Sequence, residues 1–174
     1  MAVRERGESV SGTRDGYEAL CVPTVGCTTG EVDGHDLDVD GVGRPVFCVT
    51  LCNSLATTSW TRGFEPIWRP PFVTALMPED RCHLNVLALD PSTAEPAYVS
   101  MASGLNVADG WRNRRESGGV ITDVRNDRVV CDGLSVPHSP RGDPDDPNNV
   151  WLLDAETGAS HAWTLARQIE VVRR

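Results

Sequence analysis

Short apolar runs separated by turn residues make up most of the chain. Gly119–Val124 alternates apolar and polar residues, and Arg125–Arg128 supplies a turn before the next apolar run, which is typical of a hairpin. No long segment keeps the 3.6-residue period of an amphipathic helix. The pattern therefore predicts an all-β chain of antiparallel hairpins. The strand segments expected to be buried are Val46–Val49, Leu87–Leu89, Val120–Ile121 and Val150–Leu153.

A repeat organises these runs. Each unit opens with a histidine, continues through a turn-rich gap and reaches an apolar run; the three histidines are His35, His83 and His138, which lie 48 and 55 residues apart. Blades of a β-propeller, built from four short strands, repeat at roughly 40–50 residues. The stretch from Gly30 to Arg174 therefore holds about three blades. Because propellers typically close with four or more blades, we expect an open or incomplete propeller.

Two regions of the chain fall outside the blade pattern. Residues 1–29 are expected to form a loose N-terminal arm, which leaves residues 30–174 as a partial propeller-like domain. A long connection then follows the first apolar runs. Its aromatic residues are expected to pack between blades; they are Trp60, Trp68 and Phe72.

Charge and apolar patterning exclude several classes of partner. Sixteen basic residues, all of them Arg, stand against twenty-five acidic ones, so the net charge is −9. A protein that binds duplex nucleic acid needs a basic face, so no nucleic-acid partner is expected. The absence of Lys excludes a P-loop lysine and a Schiff-base lysine. No apolar run approaches the roughly 18 residues of a membrane span, so no membrane partner is expected either.

The six cysteines do not form a recognisable metal or disulfide framework. No C-x-x-C motif occurs. On one strand, Cys48 and Cys52 would lie about 13 Å apart, which is too far for a bridge. We interpret most cysteines as reduced, buried thiols, and we expect a cytoplasmic protein because no secretory signal precedes them.

Several ordered motifs carry a family resemblance. They occur in chain order as Gly30–Leu37, Phe64–Phe72, Pro78–Asn85, Gly110–Arg112, Gly118–Val124 and Gly133–Arg141. Together they resemble conserved hypothetical protein family 03032, also known as domain of unknown function 4915, from about Gly30 to Gly158. The resemblance implies a propeller-like β fold and supplies no activity, cofactor or catalytic residue.

The chain departs from that family pattern at two places. After Pro140 and Arg141 it continues into Gly142–Pro147, where relatives have a short aromatic-bearing turn. The family also continues for several strands beyond the equivalent of Gly158. We therefore expect a truncated chain that associates with another copy, or with a missing C-terminal segment, through an open sheet edge. The stretch Ile169–Arg174 is interpreted as an edge strand protected by its charges.

The three histidines are the candidate metal ligands. In a propeller, equivalent positions of the innermost strands converge on the central axis, so His35, His83 and His138 could bind Zn²⁺ or Fe²⁺ and leave positions open for water or substrate. Asp36 and Asn85 could hold the tautomers of the rings. The alternative is that each ring donates a hydrogen bond to a backbone carbonyl and closes a blade.

Arginines supply a second candidate site. Arg141 follows His138 by three residues and could hold a carboxylate or phosphate, so Arg141, Asn85 and Asp36 form the predicted ligand-binding set. For the two other arginines near these motifs the favoured roles are structural. Arg81 is expected to pair with Glu79 or Asp80, and Arg69 to stack on Trp68.

Other motifs favour turns over chemistry. Asp36, Asp38 and Asp40 match the first half of a calcium loop, but Phe47 stands at the twelfth position, where such a loop needs Glu. A hairpin turn at Asp40–Gly41 explains the same residues. Arg141–Asp143 spells an adhesion tripeptide and is interpreted as a turn, and no hydrolase or nucleotide-binding motif is present.

The sequence therefore predicts an uncharacterised propeller-like domain that binds a small ligand or a metal through axis-facing histidines. Its catalytic residues, if it has any, are unknown. Two alternatives remain: a structural or protein-interaction module without catalysis, since many folds only present a docking surface, and an incomplete fragment without independent activity.

Overall fold

A computed structural model of the chain describes residues 26–143, 145–146, 149–164 and 167–170. This part of the chain contains twelve β-strands and one short 3-10 helix, Gly110–Arg114. The prediction of an all-β chain is confirmed. Within the same residues, no helix combines the length and the apolar character needed to cross a membrane.

The strands form three four-stranded antiparallel sheets, each made from consecutive strands. Blade 1 contains β1 (Leu37–Val39), β2 (Pro45–Val49), β3 (Ser54–Thr57) and β4 (Glu65–Trp68). Blade 2 contains β5 (Leu84–Leu89), β6 (Pro96–Met101), β7 (Gly119–Asp123) and β8 (Arg128–Leu134). Blade 3 contains β9 (Pro137–Gly142), β10 (Asn149–Asp154), β11 (Ala159–Thr164) and β12 (Arg167–Glu170). These are the three propeller-like blades that the repeat predicts.

An aspartate closes the first hairpin of every blade. Oδ1 of Asp40 accepts hydrogen bonds from the backbone N–H groups of Val42 (3.1 Å) and Arg44 (2.8 Å). Asp90 and Asp143 stand directly after β5 and β9 and accept backbone N–H groups of their own turns in the same way. Side chains that mimic a backbone turn account for this repeated position. The hairpin interpretation of Asp40 is thus confirmed.

The ion pair at Asp40 reinforces this turn. Arg44 Nε donates to Asp40 Oδ2 at 2.8 Å. Burial raises the pKa of Asp40, but the hydrogen bonds from the Arg44 amide and side chain and from the Val42 amide outweigh burial and hold the pKa below its usual value. Arg44, which the calcium-loop pattern places at the ninth position, therefore neutralises the carboxylate that a calcium ion would need.

The core lies on both faces of blade 2. Val46, Cys48 and Leu55 of blade 1 pack with Leu84 and Leu87 in one buried cluster. On the opposite face, the residues that join blade 2 to blade 3 are Ile121, Cys131, Leu134 and Leu152. Strand β5 is therefore buried almost throughout its length. The buried residues predicted in β2 and β7 are confirmed, and Leu89 is half-buried at the end of β5.

Blade 3 corrects one predicted buried segment. Val150 and Leu152 are buried, whereas Trp151 and Leu153 are 45% and 51% exposed. The physical reason is the alternation of a strand, which turns successive side chains to opposite faces. Among the described residues, only one face of β10 is covered by another blade, so the prediction that Val150–Leu153 is uniformly buried is wrong.

The aromatic residues around β4 differ in how far they are exposed to solvent. Trp60 is 92% exposed, so the expectation that it packs between blades is wrong. Trp68 and Phe72 do pack, half-buried, against the cluster between blades 1 and 2. Trp68 Nε1 also donates to Asp127 Oδ1 of blade 2 at 2.7 Å, which ties the outer strand of blade 1 to the neighbouring blade.

Candidate metal centre

The starts of the three innermost strands bring the histidines of the repeat together. His35 lies two residues before β1, His83 directly before β5, and His138 is the second residue of β9. The rings of His35 and His83 meet edge to face, with their centroids 4.7 Å apart. The three histidines therefore lie near the same end of the inner strands, although their offsets from the strand starts differ by up to three residues.

His83 is held in place by two neighbours. Its Nδ1 lies 3.1 Å and 3.0 Å from the two carboxylate oxygens of Asp80, and its ring stacks on Trp111 with centroids 4.0 Å apart. Trp111 Nε1 donates to Asp80 Oδ2 at 2.8 Å. Because a carboxylate only accepts hydrogen bonds, we assign the ring proton to Nδ1, which leaves the lone pair of Nε2 free. The side chains of Asp80 and His83 are only 10% and 13% exposed.

One group of described residues has the spacing of a metal site. Ligand atoms of Asp33, His35 and His83 all lie within 4.8 Å of one another. His35 Nε2 is 3.5 Å from Asp33 Oδ1, and the side chains of His35 and Asp33 are 29% and 52% exposed. Two imidazoles and one carboxylate are a donor set used for zinc and for non-haem Fe²⁺ with coordination positions left open. The arrangement can therefore hold one such ion at the solvent-accessible edge of the histidine pair.

His138 lies beside this group but is not one of its members. Burial lowers the pKa of His138, and the positive charges that His35 and His83 can carry lower it further. The ring is thus close enough to sense both histidines, although its nitrogens are not within the mutual 4.8 Å that joins His35, His83 and Asp33. The interpretation of His138 as a metal ligand stays a prediction.

The predicted ligand-binding residues connect the inner strands to one another. The backbone N–H of Leu87 on β5 donates to Asp36 Oδ2 at 3.1 Å, and the carbonyl of Leu87 accepts from Arg141 Nη1 at 3.3 Å. Asn85, fully buried on the same strand, donates from Nδ2 to the carbonyl of Pro137 at 3.4 Å. In this geometry Asp36, Asn85 and Arg141 join blades 1 and 3 to blade 2. Their role in binding a ligand stays a prediction.

The two other arginines have structural partners. Arg81 pairs with Glu79 at 2.7 Å, as expected, and also donates to Asn106. Arg69 donates to the carbonyl of Val73, a contact that replaces the stacking on Trp68 proposed for it. Burial, and secondly the nearby carboxylates, raise the pKa of the Cys131 thiol to about 12. This thiol is therefore protonated at neutral pH, and a protonated thiol is a poor nucleophile and a poor metal ligand.

Three residues of the centre are absent from the sequence-based set: Asp33, Asp80 and Trp111. The two aspartates had a detectable signal, since each precedes a repeat histidine by two or three positions. Trp111 lies in the motif Gly110–Arg112, but no spacing linked that motif to His83, because the connection 102–118 between β6 and β7 falls outside the repeat of the histidines. The corresponding connections of blades 1 and 3 are residues 50–53 and 155–158.

Two arginines lie over the ring of Trp111. The guanidinium carbon of Arg112 lies 4.6 Å from the ring centroid, and that of Arg115 lies 5.9 Å away. Arg112 is paired with Asp109, and Arg115 with Glu156 of blade 3. The Trp111 ring thus stacks on the imidazole of His83 and also lies within cation–π distance of both guanidinium groups.

Comparison with known proteins identifies the family. A model of a domain of unknown function matches residues 4–173. The chain belongs to the DUF4915 family. The match to DUF4915 is wider than the stretch Gly30–Gly158 on which the resemblance was seen. Among curated proteins, no relative matches this DUF4915 chain.

Solved structures similar to this DUF4915 chain include a catalytically inactive virginiamycin B lyase from Staphylococcus aureus with quinupristin. Sequence identity is 9%, the TM-score is 0.49, and the alignment covers 82% of this chain and 42% of the lyase. The chain thus spans less than half of that structure's length. The description of the DUF4915 fold as propeller-like follows from the strand order of its three sheets.

Proposed function

We propose that this DUF4915 domain binds one divalent transition-metal ion, Zn²⁺ or Fe²⁺, through Asp33, His35 and His83. The observation that carries the proposal is the mutual approach of their ligand atoms to within 4.8 Å. Three protein ligands leave at least one coordination position for water or a small ligand. The domain would thus act as a metal-dependent small-ligand site at the end of its inner strands.

The residues that surround His83 support the same proposal. Histidines that bind metals usually donate their other ring nitrogen to a carboxylate, which fixes the ring and raises its basicity as a ligand. Asp80 has this relation to His83, and Trp111 in turn donates to Asp80. The structural alternative expected His83 to donate to a backbone carbonyl, whereas its Nδ1 faces a carboxylate and its ring stacks on a tryptophan.

Metal binding is tested on the purified, chelator-treated 174-residue chain by calorimetric titration with Zn²⁺ and by the visible spectrum of added Co²⁺. We expect one ion per chain, and loss of stoichiometric binding in His35→Ala and in His83→Ala. His161→Ala is the matched control, because His161 is the one histidine outside the repeat. Absence of stoichiometric binding of Zn²⁺ and of Fe²⁺ under anaerobic conditions would remove the proposal.

The His138→Ala variant tests whether His138 is a ligand of the metal. If Asp33, His35 and His83 are the three ligands, His138→Ala retains the stoichiometry, and Asp33→Asn lowers the affinity while Asp38→Asn does not. A Co²⁺ spectrum that changes in His138→Ala as strongly as in His35→Ala would instead make His138 a ligand in place of Asp33.

Asp80 is proposed as a positioning residue for His83. Asp80→Asn removes the carboxylate that holds the Nδ1 proton, and loss of such a partner typically costs about 10–100-fold in metal affinity. The expected result is weaker Zn²⁺ binding with unchanged stoichiometry. The Asp132→Asn variant, which changes an exposed carboxylate on β8, checks for a general effect of charge. Equal Zn²⁺ affinity in Asp80→Asn and in the unmodified chain would contradict the role given to Asp80.

The competing function is a docking module that needs no metal. It is favoured by large apolar side chains exposed on the two outer blades, Leu37 and Leu153 among them. It predicts that folding and association are the same in His83→Ala and in the unmodified chain. The cytoplasm stays our proposed compartment; the five described cysteines are all free thiols, as a reducing compartment requires.

A further inference from the structure

A cleft of about 520 Å³ lies between blades 1 and 2. His35 and His83 stand before the starts of β1 and β5, whereas the walls of the cleft include residues of the turns that follow these strands, 40–44 and 90–95. The cleft is therefore at the end of the inner strands away from the candidate metal centre. Its volume falls within the roughly 300–1,000 Å³ that is typical of small-molecule sites.

Two hydrogen bonds between the blades hold the walls of this interblade cleft. The backbone N–H of Gly41 donates to the carbonyl of Ala94 at 3.1 Å, and Trp68 Nε1 donates to Asp127 Oδ1 at 2.7 Å. Gly41 and Trp68 both line the cleft. A Cβ on Gly41 would lie 2.5 Å from the carbonyl oxygen of Thr93, so the close approach of the two turns requires a glycine. The cleft is thus formed by contacts within the chain, before any ligand enters, which lowers the cost of binding.

The apolar part of the lining is centred on Trp68. The residues that contribute it are Trp68, Ile67, Pro96 and Val124. Two guanidinium groups lie over the ring of Trp111, whereas none lies over Trp68 in the part of the chain that the structure describes. Arg69, the neighbour of Trp68 in sequence, donates instead to the carbonyl of Val73. Because the face of an indole attracts cations, a cation that enters the cleft can meet this ring without displacing an internal one.

The charges of the lining leave one carboxylate over. Asp40 and Arg44 neutralise each other through the 2.8 Å ion pair of the first turn. Glu95 lines the same cleft, is exposed, and forms no ion pair with any residue that the structure describes. The nearby Arg125 is already paired with Asp90 at 2.8 Å. The unpaired charge of the cleft is therefore negative, and a carboxylate forms its strongest hydrogen bonds with a charged donor such as an ammonium group.

We propose that the interblade cleft binds a small organic ammonium ion, with its charge at Glu95 and its apolar part against Trp68. An anion would meet the carboxylate of Glu95 and a guanidinium that Asp40 already neutralises. A neutral apolar molecule would gain nothing from Glu95. The net charge of −9 also raises the concentration of cations near the protein surface.

The test is an NMR titration of the chelator-treated 174-residue chain at neutral pH with three probes of similar size. They are phenethylamine, phenethyl alcohol and hydrocinnamate, which carry a positive, a neutral and a negative group on the same ring. The readout is the indole N–H signal of Trp68, assigned by its loss in Trp68→Phe. We expect saturable binding of the amine, about fivefold tighter than that of the alcohol, since one exposed charge pair is worth this much. Added salt should reduce the difference.

Two variants separate the charge of the cleft from its shape. Glu95→Gln should weaken binding of the amine about fivefold and leave the alcohol unchanged, while Glu31→Gln, exposed and outside the lining, should have no effect. Gly41→Ala should weaken the amine and the alcohol alike, because it forces the two turns apart. Gly26→Ala is its control, since its Cβ would meet nothing within 4 Å. Circular dichroism verifies that each variant is folded, and Glu95→Gln changes only an exposed side chain.

The source of the ammonium group is tested with a further probe. Nα-acetyl-lysine methylamide represents a lysine side chain of a protein partner, and phenethylamine represents a free amine. Tighter binding of either supports the proposal and indicates which source the cleft selects.

Three results would overturn the proposal. They are equal affinity for the amine, the alcohol and the anion, tighter binding of the anion, and unchanged binding of the amine in Glu95→Gln. None of the lining residues belongs to the set Asp33, His35 and His83. The titrations are made without metal, so failure of metal binding leaves their results unchanged and the two proposals fail independently.

Discussion

Blades 2 and 3 use similar apolar runs in different surroundings. In the middle blade, β5 is buried on both faces, because blade 1 packs on one side and blade 3 on the other. In blade 3, β10 alternates between buried and exposed residues, because one face alone is covered in the described structure. An apolar run thus specifies a strand, while the number of neighbouring sheets determines how many of its side chains are buried.

The difference matters for interpreting exposed residues. An exposed Leu153 in an otherwise apolar run signals a sheet face that another sheet can cover, whereas Val129 is exposed on the last strand of the middle blade, at the edge of its sheet. Exposed apolar residues at every second position of a strand are therefore candidates for an interaction surface when no other sheet covers that face.

The largest expected contrast is between Leu87→Ala and Leu153→Ala. Leu87 is 1% exposed in the core between blades, so Leu87→Ala should lower the free energy of unfolding by about 2–5 kcal/mol. Leu153→Ala should change it by about 0.5 kcal/mol or less, because about half of the side chain is already exposed. Urea denaturation followed by circular dichroism measures both. Equal losses would mean that β10 is covered on both faces in the isolated chain.

A smaller effect is expected at the joint between blades 2 and 3. A Cβ on Gly119 would lie 2.8 Å from the carbonyl oxygen of Leu134 and would overlap Pro137 at the start of β9. Gly119→Ala should therefore force the two blades apart and cost about 1–3 kcal/mol. Gly104→Ala is the matched control, because its Cβ would meet Val120 at an ordinary 3.5 Å. A neutral Gly119→Ala in thermal denaturation would argue against the close approach of the blades.

The smallest effect concerns protons at His138, on the open face of blade 3. Its folded pKa lies below the ordinary value, so the unfolded chain binds more protons over the range between the two pKa values. Stability is thus retained above the ordinary histidine pKa and decreases as the pH falls through it. Melts between pH 7 and pH 5 in the presence of a chelator should show a shallower pH dependence in His138→Asn than in the unmodified chain.

An NMR titration supplies the independent check on this prediction. The ring signals of His138 should shift at lower pH than those of an unfolded peptide. A midpoint at or above the peptide's value would contradict the effect of burial and of the neighbouring imidazoles.

Much of the fold could be predicted because its signals are local. The spacing of His35, His83 and His138 indicated the blades, and turn residues such as Asp40 marked the hairpins, since an aspartate can bond its own backbone within a few residues. Exposure of Trp151 and Leu153 could not be predicted from the same run, because it depends on which sheets are neighbours.

In the candidate metal centre, too, the local features could be predicted from the sequence and the contacts between distant residues could not. The histidines were predictable from their equivalent positions, and the pair His35–His83 does meet. Asp36, Asn85 and Arg141 occur in the same motifs, yet their bonds run from one blade to another, and a linear pattern does not tell an interblade bond from a ligand contact. Trp111 reaches His83 through a connection whose path no periodicity describes.

The position of Trp111 on the 102–118 connection has a consequence for how such domains diversify. The strands set where the histidines stand, but the tryptophan that stacks on His83, and the arginines above it, come from one connection outside every sheet. Loops tolerate insertion and substitution far better than the strands that they join. Evolution can therefore alter the cover of the centre by exchanging a single connection while every blade keeps its sequence, so relatives with one framework can differ in what they admit.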